Sequence, residues 1–189
     1  RALFLGVFLW LGCVLVAAEK IMNDPYAYRP GVRNSPTKLG LNEKQLKLVL
    51  AQLQQKTGFP GLSFDAAGFL TLDDAANFAG GSAAARALVQ QAIQGPHQLL
   101  LENHSYSPRV AFASISENVV YLNMTTKART EHRSIRIDFT DFNKLVGEKN
   151  VLAAFDLGVV LLHEMIHGAL NLMDRVDEWE ELGDCERYT

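Results

Sequence analysis

The hydrophobic pattern changes character several times along the chain. Residues 2–18 are almost uninterruptedly apolar, with Arg1 before them and Glu19-Lys20 after. That length suits the core of a signal peptide better than a full membrane span, and Val16-Ala17-Ala18 puts small residues where cleavage before Glu19 is expected. Residues 19–40 are polar and carry Pro25, Pro30, Gly31 and Pro36, which reads as an extended linker. The period then becomes helical. Leu46, Val49, Leu50 and Leu53 share one face behind Asn42-x-x-Gln45, the pattern of a capping box, and Gly58 with Pro60 ends the run.

Shorter periods come next. Residues 62–65 and 69–72 flank Ala66-Ala67-Gly68 as the arms of a hairpin, and Ser82 stands as the cap of an alanine-rich helix over 83–93 that Gly95-Pro96 closes. Four segments rich in branched and aromatic residues, at 98–102, 110–113, 119–123 and 134–139, predict a four-stranded sheet. In the last of them Ile135, Ile137 and Phe139 alternate with Ser134, Arg136 and Asp138, so one face is buried. A single long apolar helix is expected over 151–172, with Asp156 near its start, where negative charge meets the helix dipole favourably. The succession predicts an α+β domain over 41–189, a small mixed sheet packed on a long helix, with further helices.

Composition adds limits rather than identity. Hydrophobic residues make up 48% and charged residues 21%, and 189 residues suffice for one domain with a core. The net charge of -3, with no basic run, leaves no electrostatic footprint for nucleic acid. Cys13 would leave with a cleaved leader, so Cys185 would stand alone and no internal disulfide would form. The chain opens on Arg1 and stops at Thr189 inside an acidic segment, so a longer reading frame is expected.

The chemistry concentrates in His163-Glu164-Met165-Ile166-His167. On a helix, residues four apart share a face about 6 Å apart in rise, so both imidazoles can reach one zinc ion. Glu164 sits about 100° round from His163, placed to flank the metal and act as general base toward an attacking water. Burial alone accounts for Val159, Val160, Leu161, Leu162, Ile166 and Leu170. It gives no reason for three ionisable groups within five residues, whose desolvation without partners costs several kcal/mol. A third ligand cannot come from the same straight helix, because Asp174 lies about 10 Å of rise past His167. The acids of 174–189 are the available source, and Glu178, Glu180 and Glu181 among them read as a solvated face.

The motif and the order of helix, mixed strands and helix resemble the zincin metallopeptidases. The resemblance implies one zinc ion, a protein or peptide substrate, and a twisted sheet whose edge strand binds the substrate backbone. Leu170 and Met173 stand where the metzincin subgroup has Gly and a third His. A gluzincin-like arrangement implies Glu186, nineteen residues after His167, as third ligand; Asp184 in that role would make the site aspzincin-like. Tyr188, His132 or His104 would then donate a hydrogen bond to the oxyanion. The ending Gly-Asp-Cys-Glu-Arg-Tyr-Thr is loosely similar to the stretch after the motif in bacterial secreted effector and toxin zinc peptidases. The expectation is an exported zinc peptidase, secreted or periplasmic, or else held to a membrane by residues 2–18. The alternatives are a non-catalytic zincin-fold binding or structural module, and an exported toxin or effector protease.

Overall fold

The computed structural model describes residues 26–172 apart from Tyr28, Asn123, Met124 and Ala128. Helix α1 (Glu43–Thr57) starts as its sequence dictates: Asn42 accepts from the Gln45 amide and Gln45 accepts from the Asn42 amide, both at 3.0 Å. It stops at Gly58, whose φ of 75° is left-handed. A Cβ there would come within 2.6 Å of the Ala79 and Gly80 carbonyl oxygens. Strands β2 (Leu62–Phe64) and β3 (Leu70–Leu72) form the expected hairpin, its turn closed by the Asp65 carboxylate accepting from the Ala67 and Phe69 amides. Ser82 caps α2 (Ala83–Gln94).

A five-stranded mixed sheet carries the rest. Strands β1 (Gly31–Asn34), β4 (His97–Asn103) and β7 (Arg129–Ile137) run parallel in that order. Two short antiparallel strands, β5 (Ala113–Ile115) and β6 (Val119–Leu122), share the far edge of β7, β5 opposite residues 135–137 and β6 opposite 129–132. Between them Ser116 bridges the gap: its amide donates to the Ser134 carbonyl and its hydroxyl accepts from the Ser134 amide.

Three expectations about strands shift. Gly31–Asn34, expected within a linker, is extended but belongs to the sheet, with Val32 fully buried. The strand expected at 110–113 begins only at Ala113, because Phe112 turns away with a φ of 58°. The strand expected at 134–139 starts five residues earlier and ends at Ile137, because Asp138 accepts from the Thr140 amide and caps a short helix, α3 (Phe139–Lys144).

The long helix expected over 151–172 is three pieces: α4 (Lys149–Ala154), α5 (Leu157–Met165) and a π-helical turn, Ile166–Leu170. Asp156 makes the break. Its backbone is extended, and its side chain accepts from the Val159 amide at 3.0 Å as the N-cap of α5. The same carboxylate pairs with Lys56 of α1 at 2.7 Å.

The core lies between the sheet and the helices. Val32, Leu99, Leu101, Ile135 and Ile137 point from one sheet face into a cluster with Leu53, Val89, Leu161, Met165 and Ile166. Each such side chain contributes roughly 1.5–3 kcal/mol on burial. The opposite face is polar yet buried, with Arg33, Gln98, Glu102, His132 and Ser134. Part of its cover is the stretch before β1: Gln98 donates to the carbonyls of Tyr26 and Arg29, and the Arg33 guanidinium lies over the Tyr26 ring. Among the described residues no helix is long and apolar enough to cross a membrane; residues 2–18 lie outside them.

Candidate active site

Helix α5 is apolar on nearly every side and is buried accordingly. Two glycines, one in α5 and one in the turn after it, allow close packing. A Cβ on Gly158 would meet the Lys56 side chain of α1 at 2.9 Å, and one on Gly168 would meet Leu99 of the sheet at 2.6 Å. Leu161 and Met165 face the core, so His163 and Glu164 are carried to the side where α5 meets β5.

The two histidines converge. The Nε2 atoms of His163 and His167 are 3.1 Å apart, with ring planes at 85°. Two imidazole nitrogens sharing one zinc ion, each at about 2.0–2.1 Å, are about 3.4 Å apart at a tetrahedral angle, so the spacing fits. The orientation fits as well. His167 Nδ1 lies 2.8 Å from the Leu172 carbonyl oxygen, which can only accept, so Nδ1 carries the proton and Nε2 presents its lone pair.

His167 falls in the π-helical turn, a conformation frequent at functional sites. The turn ends at Asn171, which is left-handed with a φ of 55°. Arg133 of β7 fastens it: one guanidinium nitrogen donates to the His167 carbonyl at 2.7 Å and another to the Asn171 side-chain oxygen at 2.5 Å. Arg133 was not foreseen, because the strand was expected to begin one residue later. Carried back by two from Ile135, the alternation would have put it on the helix-facing side.

Glu164 is buried, with 7% of its surface exposed, and lines a cavity of about 390 Å³ beside His163. Ala111, Phe112 and Ala113 wall the cavity on the strand side, and Phe155, Val159 and Val160 on the helix side. Neither phenylalanine was singled out from sequence. Phe155 was hidden by the run of helix formers around it, although Asp156 standing directly before the apolar run from Leu157 is a readable cap signal.

The remaining candidates separate. His132 alternates with Arg133 and therefore projects from the sheet face opposite α5, where burial depresses its pKa to about 4. His104 lies beside Glu102, 3.4 Å from its carboxylate, and Glu102 alternates with the core residue Leu101. Neither histidine can donate to an oxyanion at His163 and His167. Among the described residues no group of three or more His, Cys, Asp or Glu side chains is gathered to hold a metal. Glu186, Asp184 and Tyr188 lie outside the described residues.

Fold and site together define a mixed α+β domain whose buried helix brings two histidines and a glutamate to the edge of its sheet. The chain matches no protein-family model, no curated protein and no solved structure.

Proposed function

We propose that the chain is a zinc-dependent peptidase of zincin-like architecture. The observation that carries this reading is the convergence of His163 and His167 at 3.1 Å, with the outer nitrogen of His167 committed to a carbonyl and Glu164 beside them in a cavity wall. Two further features support it. The edge strand beside the cavity is antiparallel to its neighbour, and among the described residues β5 and β6 pair only with β7, so an extended peptide can add to their outer edge.

His163 and His167 would hold the metal, with Glu186 as the proposed third ligand and Asp184 as its alternative. Zinc bound there would supply Lewis acidity toward a scissile carbonyl and would make a water nucleophilic near neutral pH. Glu164 would take a proton from the attacking water and return it to the departing amine.

Zinc content of the full chain by elemental analysis tests the reading, beside hydrolysis of a peptide mixture. Wild type and Glu164→Ala should hold about one zinc each, and Glu164→Ala should lose hydrolysis by at least a hundredfold. His167→Ala and Glu186→Ala should lose the metal. A wild-type chain that holds no zinc even after incubation with a stoichiometric amount would end the proposal.

A further inference from the structure

The cavity beside Glu164 is walled by side chains that hydrolysis itself does not need, and a role for them in substrate choice rests on the peptidase reading. Apart from His163 and Glu164, every residue lining it is apolar. Its volume of about 390 Å³ is at the small end of ligand sites, which run roughly from 300 to 1,000 Å³. That is room for one large side chain. Water filling such a hollow would find few hydrogen-bond partners, and a charged side chain entering it would be desolvated with none of opposite sign beyond the site itself.

Two local irregularities build the wall. Phe112 has a φ of 58°, a conformation that costs a bulky residue and that glycine or asparagine would adopt more readily. It is held there from both sides: its carbonyl accepts from the Asp138 amide at 2.9 Å, and its amide donates to the Asp141 carboxylate at 3.3 Å. Phe155 stands where the helix is broken between α4 and α5 and remains 39% exposed. The two rings meet edge to face with centroids 5.0 Å apart, and Phe112 leans on Phe142 in the same way at 5.3 Å. Strained residues of this kind gather at ligand sites, where the surrounding structure holds them in place.

We propose that this cavity receives one apolar side chain of the substrate, from a residue flanking the scissile bond, and that Phe112 and Phe155 set the size it accepts. The substrate class is therefore a polypeptide cut next to a leucine-, methionine- or phenylalanine-sized residue. Acidic residues are excluded at that position, because Glu164 repels them and nothing in the wall pairs with them.

The test is cleavage-site profiling of a proteome-derived peptide mixture by mass spectrometry, with the full chain loaded with zinc. Wild type should enrich Leu, Met and Phe, and deplete Asp and Glu, at one of the two positions flanking the cut. Phe155→Ala, at a half-exposed position, and Phe112→Gly, which also removes the backbone strain, should shift that position toward Trp and Tyr by roughly tenfold in kcat/KM. Ala113→Leu, filling the cavity from the strand, should shift it toward Ala and Gly. A flat wild-type profile, or one profile for all the variants, overturns the proposal and leaves the hydrolytic reading standing. Should no peptide be cut, the cavity is judged by binding alone. N-acetylphenylalaninamide and N-acetylasparaginamide are titrated into Glu164→Gln and followed by NMR. At least tenfold tighter binding of the first, lost in Ala113→Leu, upholds the pocket while hydrolysis fails; equal or absent binding overturns it.

Discussion

Replacing Arg133 with methionine removes the fastening of the π-helical turn while keeping the aliphatic length of the side chain. Two charge-assisted hydrogen bonds are lost. The one to the His167 carbonyl is half-buried, and a hydrogen bond to a charged group in such a place contributes about 1.5–3 kcal/mol. The one to Asn171 is exposed, and solvent screening holds it to roughly 0.5 kcal/mol. Metal-free protein should therefore unfold in urea with about 2–3 kcal/mol less stability. The consequence for the site is separate. Asn171 leads directly into Leu172, whose carbonyl fixes the His167 ring, so loosening the turn misaligns Nε2 without removing a ligand. Losing a group that orients a ligand in this way costs about 10–100-fold in metal affinity. Competition against a chromophoric chelator reads that loss, and the visible spectrum of the cobalt-loaded chain reads the ligand geometry. Arg133→Lys, which keeps the charge but can donate to only one partner well, should recover part of both. If Arg133→Met is destabilised as expected yet binds zinc within threefold of wild type, with an unchanged cobalt spectrum, the clasp serves folding alone.

Three more outcomes are expected. Gly168→Ala puts a methyl 2.6 Å from one Leu99 methyl and 3.1 Å from Ile115, an overpacking cost of about 1–3 kcal/mol against a helix-propensity gain of about 1 kcal/mol. Urea unfolding should show a net loss, relieved when Leu99→Val is added; a gain in stability would mean the turn sits further from the sheet. Asp156→Ala, losing the cap of α5 and the pair with Lys56, should cost about 1–2 kcal/mol, and Asp156→Asn less, since it keeps the cap. Equal losses would place the effect in the ion pair. His132 has its pKa lowered from 6.5 to about 4 by burial, so between those values the unfolded chain binds the extra proton. Its contribution to stability is full above about pH 6.5 and is lost as pH falls toward 4, with a slope of at most about 1.4 kcal/mol per unit. His132→Gln should flatten the pH profile of stability in that window, and a profile parallel to wild type would show that the ring is not buried neutral.

How much was legible depended on whether the governing interaction is local. The capping box at Asn42 and Gln45 and the Ser82 cap are contacts across three residues, and each formed where its residues said; the hairpin also formed, though Asp65, expected in its first arm, closes the turn instead. Strand β1 was hidden because the strand it pairs with along its length, β4, is about 67 positions away, and four residues after Pro30 carry no alternation of their own. The π-turn was hidden for a different reason. Ile166 to Leu170 has ordinary helical composition, and the hydrogen bond that takes up the His167 carbonyl comes from Arg133, on a strand 34 residues back. The histidine pair survived these errors because i, i+4 neighbours stay on one face through a modest change of pitch.

The departures from regular helix are what tie the pieces of the site together. An unbroken helix from 151 to 172 would carry Phe155 round with the helical screw, eight residues before His163, and would give Asp156 no extended backbone from which to cap Val159. Breaking it there leaves Phe155 against Phe112 and anchors the start of α5 to α1 through Lys56. At the other end, an α-helix continuing through His167 would direct the backbone carbonyl at 167 along the helix axis to an amide four residues on. Here that carbonyl receives Arg133, and the chain is free to turn at Asn171 and bring the Leu172 carbonyl back to the ring of His167. Each irregularity costs local stability, and each is held by one charged side chain from a different element, Lys56 from α1 and Arg133 from β7. The helix bearing the histidines is thereby held at both ends by the rest of the domain, so the spacing of His163 and His167 depends on the tertiary fold and not on helix geometry alone.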